Sequence, residues 1–275
     1  MGRHDLRLAV GVDGGPGSMA AVRWAASVVD RRGGSLLLAR GYVPQSLLLL
    51  MGGHGLKQLR DSEQQMLDAV AEAIRDEFSG VIVETLVESV AAAPLLIGLA
   101  ESVDGLVVGR NRANWVERVT LGGISSEVSA RARCPVVTVP SDTKECQGPV
   151  VVPFDCKAPA ERVMEVAFTW ARDSGRELVF VHAVQEDIST ENLSAIYDRA
   201  LAAVSSWSAR YPTCNTRVQL VNGDAERALV EAVPHASLWI VNRPRVGRPL
   251  TAWSPFTPRV IHRRAACPVL VVGCT

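Results

Sequence analysis

The sequence predicts an α/β protein built from two copies of a doubly wound, parallel, five-stranded sheet. Short β-branched and aliphatic runs, typical of strands buried on both faces, alternate with longer segments of helical periodicity. The order βαβαβαβαβ favours a parallel sheet with helices on both faces. The pattern also occurs twice, since a shift of 133 residues carries Val108–Gly109 onto Val241–Asn242. The same shift carries Cys134–Val136 onto Cys267–Val269.

The first copy is predicted to contain five strands and four helices, and several boundaries have a local cause. We expect Ser18 to cap the first helix, Gly33–Gly34 to end it, and Pro94 to lie in the first turn of the third helix. A loop rich in Gly and Leu, residues 42–55, could cover a pocket. The predicted strands are 6–12, 35–39, 81–87, 106–108 and 136–139, and the predicted helices are 19–31, 57–78, 91–102 and 122–131.

The second copy repeats this order after a polar linker. We predict domain 1 at residues 1–141, the linker at 142–148 and domain 2 at 149–275. Asp155 ends the first strand of this copy as Asp13 ends that of the first, here at a shift of 142 residues. The predicted strands are 149–154, a run around 178–180, 217–221, 238–241 and 269–272, and the predicted helices are 158–174, 189–211 and 224–233.

Composition and charge exclude several classes of partner. The chain has 29 basic and 29 acidic residues and no net charge, so there is no electrostatic case for nucleic acid or an acidic membrane. No apolar run is long enough to span a bilayer, and the first residues are too polar for a signal peptide. The six cysteines form no CxxC pair and are expected to be small buried hydrophobes, which suits a reducing cytoplasm. We therefore expect a cytoplasmic protein with no nucleic-acid and no membrane partner.

The sequence gives no support for catalysis or for a metal site. It contains no GxSxG elbow, no HExxH and no GxxxxGK[ST] loop. The five histidines are not spaced as ligand pairs, and His182 is expected to be buried and hydrogen-bonded rather than a base. We expect a protein that is not an enzyme, with no catalytic residue and no metal.

Several segments together resemble the universal stress protein family in its tandem two-domain form. They are VDGGPGSMAA at 12–21, the Val-Val-Gly before the loop at 107–109, CPVVTV at 134–139 and its copy CPVLVV at 267–272. The resemblance implies a Rossmann-like fold of the adenine nucleotide alpha hydrolase-like type, arranged as an internal pseudo-dimer. It also implies a role in the stress response.

The resemblance further implies where ATP would bind. ATP-binding members carry Gly, two residues, Gly, nine residues, Gly and then Ser or Thr. In the first copy two glycines remain, and the other glycine and the hydroxyl are lost; the four positions hold Gly109, Arg112, Gly122 and Gly123. In the second copy nothing matches; the positions hold Asn242, Arg245, Pro255 and Phe256. ATP is therefore expected in domain 1 only, if it binds at all.

The predicted cofactor-binding residues all lie in the first copy, and each has a second explanation. The set is Asp13, Gly14, Gly109, Arg112, Gly122, Gly123 and Ser125. By resemblance Asp13 lies near the adenine and ribose, or it only caps the turn that follows it. Arg112, with its neighbour Arg110, contacts phosphate or belongs to a solvated loop. Ser125 replaces the hydroxyl missing at Gly123, or is an ordinary first-turn residue. The basic residues near Asp155 are better explained as a solvated face.

Three functions stay open on the sequence alone. The first is a binding and signalling module for the stress response, with at most a degenerate ATP site in domain 1. The second is an ATP-binding member with slow hydrolysis there, and the third is a structural pseudo-dimer that acts through protein contacts. We also expect internal domain–domain pairing through strands 136–139 and 269–272, because apolar sheet edges aggregate unless they are paired. A homodimer and a protein partner of unknown identity are further expectations.

Overall fold

The computed structural model describes residues 5–43, 52–110, 123–143, 147–156, 159–184, 189–222, 233, 235–243 and 265–273. The chain divides into two compact units, Met1–Thr143 (unit 1) and Lys144–Thr275 (unit 2). In the described part of each unit, five strands pair in parallel, which confirms the predicted class and its repetition. The domain boundaries at 141 and 149 stay a prediction.

The sheet of unit 1 has the strand order β3-β2-β1-β4-β5. Its strands are β1 Leu6–Gly11, β2 Gly34–Gly41, β3 Ile82–Glu88, β4 Gly105–Arg110 and β5 Val136–Pro140. β1 lies in the middle, pairing Gly11 with Ala39 of β2 on one side and with Val108 of β4 on the other. The middle residues of the central strands are buried, as their mainly apolar sequences predict.

Four helices of unit 1 lie within the described residues. They are α1 Pro16–Arg32, α2 Gly52–Glu77, α3 Ala92–Leu99 and α4 Ile124–Arg131. Gly33 ends α1 at φ 77°, a left-handed conformation that favours glycine, and Pro94 lies in the first turn of α3, both as predicted. α2 begins at Gly52, so the last residues of the predicted loop 42–55 are helical; residues 44–51 lie outside the described part.

The prediction that Ser18 caps α1 is wrong. The N-cap is Gly15, and Pro16 takes the first helical position, where its fixed φ and missing N–H cost nothing. Ser18 therefore lies inside the first turn, 5% exposed. Its hydroxyl is turned back toward Asp13, which gives this residue a place in the candidate site.

Unit 2 repeats the order of unit 1 as β10-β9-β6-β7-β8. Its strands are β6 Val150–Pro153, β7 Leu178–Val184, β8 Thr216–Asn222, β9 Leu238–Asn242 and β10 Val269–Val272. Its described helices are α5 Glu161–Ser174 and α6 Thr190–Arg210. Ser189 caps α6 by accepting a hydrogen bond from the Asn192 N–H at 3.4 Å. Nearly all of the helix predicted at 224–233 lies outside the described residues.

Among the described residues, the core of unit 2 contains more aromatic rings than that of unit 1. Phe168 of α5 stacks on Trp207 and Tyr211, with ring centroids 6.1 and 5.2 Å away. Phe180 of β7 packs edge-on against Phe154, which follows β6, at 5.3 Å. These contacts hold the carboxyl end of β6 against the middle of β7. The corner of unit 2 that is described in the next subsection lies at this place.

Within the described residues, none of the helices is both long enough and apolar enough to cross a membrane.

Candidate functional site

The candidate site of unit 1 lies at the carboxyl ends of β1 and β4. β1 and β4 are neighbours in the sheet. After β1 the chain forms β2 and β3 on one side of β1, and it then crosses to form β4 and β5 on the other side. Such a reversal opens a crevice beyond the strand ends, where open α/β sheets bind ligands. Asp13 follows β1 and Gly109 lies near the end of β4, so the fold brings these two predicted residues to the same crevice.

The carboxylate of Asp13 is held in place by the start of α1. Its Oδ1 accepts hydrogen bonds from the Gly15 N–H at 2.8 Å and from the Ser18 hydroxyl at 2.7 Å. The Ser18 Oγ in turn accepts from the Asp13 N–H at 3.3 Å. Asp13 therefore caps the turn that follows it, which is one of the two roles that the sequence left open. This role engages Oδ1; hydrogen bonds to Oδ2 are absent among the described residues.

These contacts keep Asp13 ionised. Partial desolvation raises the pKa of Asp13, but the hydrogen bonds from Ser18 and Gly15 and the positive charge of Arg40 act in the opposite direction. Their combined effect is larger, so the pKa of this carboxyl lies below its usual value. At neutral pH the crevice therefore carries a fixed negative charge beside hydrogen-bond donors.

Arg40 forms the wall of the crevice on the β2 side. Its Nε and Nη2 donate to the two carboxylate oxygens of Glu63 on α2, at 2.8 and 3.3 Å. Its Nη1 donates to the carbonyl of Val12 at 3.3 Å. The two side chains are 22% and 18% exposed, so this bidentate pair is better shielded than a surface salt bridge. The sequence reasoning did not include either residue in the site.

Close packing against α1 requires glycine at position 109, whether or not the site binds a ligand. A Cβ at this position would lie 2.2 Å from the carbonyl carbon and 2.4 Å from the next nitrogen of the first turn of α1, at Gly17 and Ser18. From the other side, a Cβ on Gly17 would lie 3.3 Å from the backbone of Arg110. The absence of side chains here lets the first turn of α1 pack closely against β4.

Gly14 also has a structural requirement. Its φ is 79°, in the left-handed region where L-residues with a side chain are strained. Because the chain turns there between β1 and α1, glycine is needed even without a ligand.

Gly123 and Ser125 lie at the amino end of α4. Gly123 is the N-cap, with no side-chain hydrogen bond to the first turn, and no described residue lies within 4 Å of the place a Cβ would take. Ser125 is half-buried in the first turn. Free N–H groups and the helix dipole give such an end a partial positive charge. Arg112 and Gly122 lie outside the described residues.

The equivalent corner of unit 2 has different side chains. Asp155 follows β6 as Asp13 follows β1, but the next residue is Cys156, and His182 of β7 stands where unit 1 has Arg40. His182 is 8% exposed and its Nδ1 lies 2.9 Å from the Phe154 carbonyl, which confirms the predicted buried, hydrogen-bonded histidine. At the end of β9, Asn242 is exposed; Arg245, Pro255 and Phe256 lie outside the described residues.

Comparison with known proteins agrees with this geometry. Residues 6–140, from the start of β1 to the end of β5, match the model of the universal stress protein family. Through these residues the chain belongs to the universal stress protein family.

Related universal stress proteins cover both units. Universal stress protein Rv2623 of Mycobacterium tuberculosis is 26% identical over 259 residues, spanning 87% of this chain and 87% of the relative. Universal stress protein Rv1996 of the same organism is 26% identical over 272 residues, spanning 86% and 85%. A universal stress protein of Archaeoglobus fulgidus has a similar fold, with a TM-score of 0.71 at 16% identity over 97% of this chain and 96% of that structure.

The family resemblance pointed to Asp13, Gly109 and the start of α4, and it did not point to the corner of unit 2. Cys156 and His182 are 26 residues apart in sequence, with their Sγ and Nε2 atoms 3.8 Å apart. The available signal was the repeat itself, because the 142-residue shift that aligns the two aspartates also aligns Cys156 with Gly14 and His182 with Arg40. Unit 2 therefore has a thiol and an imidazole at positions where unit 1 has a glycine and a guanidinium.

Proposed function

We propose that this universal stress protein is a binding and signalling module with a single, weakened adenine-nucleotide site in unit 1. The observation that carries the proposal is the ionised Asp13 carboxylate, fixed at the crevice between β1 and β4. Unit 2 is proposed to bind no nucleotide, because it has the Cys156–His182 pair at that corner and none of the phosphate-loop pattern.

The proposed role of Asp13 is to accept a hydrogen bond from the ribose. Oδ1 is occupied by Gly15 and Ser18, which fix the orientation of the carboxylate and leave Oδ2 for a ligand hydroxyl. A charged acceptor that is already held in position makes a stronger hydrogen bond and loses less entropy on binding than a mobile one.

The proposed phosphate contacts come from the amino end of α4. The N–H groups of the first turn of α4 and the hydroxyl of Ser125 are the donors that the described chain offers there. Gly123 contributes no hydroxyl, and the second glycine of the family pattern is replaced by Arg112. We therefore expect weaker binding than in a site with the complete pattern.

We propose that the nucleotide acts as a conformational ligand and is not a substrate. In the described residues the Asp13 carboxylate accepts hydrogen bonds from a hydroxyl and a backbone N–H, and the nearby guanidinium of Arg40 is already paired with Glu63. A ligand that binds one conformation better than another shifts the population toward it without chemistry. The alternative of slow ATP hydrolysis is tested by measuring phosphate release in the same samples.

The proposal is tested by measuring nucleotide binding to the full chain. Mass spectrometry of the purified protein identifies any nucleotide that co-purifies, and calorimetric titration with Mg-ATP, Mg-ADP and Mg-GTP gives the affinity. Asp13→Asn, which keeps the shape but removes the charge, should weaken adenine-nucleotide binding at least ten-fold. The matched control is Asp198→Asn, the same change at an exposed position on α6.

Two results would contradict the proposal. One is the absence of measurable binding of any of these nucleotides to the parent chain. The other is an affinity that Asp13→Asn leaves equal to that of Asp198→Asn. The cytoplasmic location, the homodimer, the paired domains and the unknown protein partner stay predictions from the sequence.

A further inference from the structure

We propose that unit 2 binds one zinc ion through Cys156, His182 and Asp155. The three residues meet at the carboxyl end of β6, and one ligand atom from each lies within 4.8 Å of the others. Cysteine thiolate, imidazole and carboxylate are all ordinary zinc ligands. The inference is independent of the nucleotide site, because it concerns the other unit and other residues.

The distance between the Cys156 and His182 ligand atoms fits a tetrahedral ion. The Cys156 Sγ and the His182 Nε2 are 3.8 Å apart. With Zn–S of about 2.3 Å and Zn–N of about 2.0 Å, a tetrahedral centre would hold these atoms about 3.6 Å apart. An ion can therefore be placed between them with a shift of a few tenths of an ångström, about the tolerance of such sites.

The orientation of His182 is the second observation that supports a metal. Its Nδ1 faces the Phe154 carbonyl at 2.9 Å, and a carbonyl can only accept, so Nδ1 carries the proton. In the neutral ring the Nε2 lone pair then points toward Cys156. The Phe154 ring, 6.0 Å from the imidazole and edge-on to it, holds the ring in this orientation. Metal-binding histidines are usually fixed by such a bond from the other nitrogen.

Burial and charge favour zinc over other common cations. Cys156 and His182 are 5% and 8% exposed, whereas Asp155 is exposed and marks the open side. A thiolate and a carboxylate neutralise a divalent ion, which lowers the cost of holding it in a buried corner. Magnesium and calcium prefer oxygen ligands, while a soft thiolate with an imidazole favours zinc. Three ligands from the described residues leave the fourth position of a tetrahedral ion for another donor, such as water.

Unit 1 provides an internal comparison. At the positions equivalent to Cys156 and His182 it has Gly14 and Arg40, neither of which ligates zinc. We therefore expect one ion per chain, bound in unit 2.

The experiment measures zinc and cobalt binding to the full chain after chelator treatment. Titration with Zn²⁺ against a chromophoric chelator gives stoichiometry and affinity, and Co²⁺ reports the ligand type through the near-ultraviolet charge-transfer band of a cobalt–thiolate bond. The variants are Cys156→Ser, His182→Gln and Asp155→Asn. The control is Cys214→Ser, because Cys214 is half-buried in the same unit and its Sγ contacts the Phe168 carbonyl instead.

We expect one equivalent of zinc, a thiolate band with cobalt, and at least ten-fold weaker binding in Cys156→Ser and His182→Gln. Asp155→Asn should also weaken binding, and because its side chain is exposed this variant tests the site without disturbing the core. Binding well below one equivalent, or a cobalt spectrum without the thiolate band, would mean that the three residues make only a hydrogen-bonded cluster. Equal affinity in Cys156→Ser and in Cys214→Ser would overturn the proposal too.

Discussion

The two units keep an aspartate at the end of their first strand and surround it with different chemistry. In unit 1 the Asp13 carboxylate is held by Ser18 and Gly15, with Arg40 beside it. In unit 2 the neighbours of Asp155 are a buried thiol and a buried imidazole. The comparison shows that a duplicated backbone and a shared aspartate do not determine the chemistry of the corner, since the residues on the next turn and the next strand differ between the two units.

The glycines at the end of the fourth strand show the same divergence. Gly109 is in contact with the first turn of α1, and a Cβ there would overlap the backbone of Gly17. Its equivalent Asn242 is exposed, and α5 begins only at Glu161, three residues later than the repeat would place it. Unit 2 therefore does not need glycine at this position. Part of the family pattern in unit 1 is thus a packing requirement and says little by itself about nucleotide.

The largest effect is expected from Gly109→Ala. The added methyl group has to displace either α1 or β4, so we expect unit 1 to lose about 3 kcal/mol in free energy of unfolding, the upper end for overpacking. Chemical denaturation followed by circular dichroism measures this. Gly98→Ala is the matched control, since a methyl group there meets nothing within 4 Å inside α3. It should stabilise the protein by about 0.5–1 kcal/mol. A cost below about 1 kcal/mol for Gly109→Ala would contradict the packing role.

A smaller effect is expected from Ser18→Ala. Removing the hydroxyl takes away a hydrogen bond that favours ionised Asp13, so the pKa of this carboxyl should rise, and carboxyl NMR titration measures it. At neutral pH the variant should lose about 1 kcal/mol, since the group is partly exposed to solvent.

The direction of the Asp13 pKa shift determines how the effect of Ser18→Ala on stability changes with pH. A carboxyl whose folded pKa is depressed stabilises the protein above its unfolded pKa, and this contribution is lost as the pH falls through the folded value. The stability difference between Ser18→Ala and the parent should therefore shrink in acid. A difference that stays constant with pH would mean that Ser18 acts through packing alone.

The smallest effect is expected from Gly123→Ser, which restores one part of the family pattern. No described residue lies within 4 Å of the place where the new side chain begins, and a serine at an N-cap adds only a few tenths of a kcal/mol of stability over glycine. If α4 faces phosphate, the hydroxyl adds one hydrogen bond of about 0.5–1.5 kcal/mol, or a roughly two- to ten-fold gain in ATP affinity. Gly123→Ala, which adds the methylene without the hydroxyl, is the control. Equal affinity in the two variants would place the phosphate elsewhere.

Most of the fold was predictable because it depends on local patterns. Short runs of mainly apolar residues located the strands of the described chain, and the bounds of β10 match the prediction at both ends. The start of α1 was not predicted correctly, because proline at its first position outweighs the capping preference of Ser18. The Cys156–His182 contact depends on the register of β6 and β7, in which Pro153 pairs with Val181. Such a register is not visible in either strand alone.

The central claim, a nucleotide site in unit 1 and none in unit 2, is tested most directly by locating the bound adenine. An azido-adenine analogue of ATP, cross-linked to the full chain under light with and without competing ATP, labels the residues around the base. After digestion, the competed label is expected in peptides that contain Asp13 and the strands next to it. Competed label in the peptide that contains Asp155, with those of unit 1 unmodified, would contradict this account.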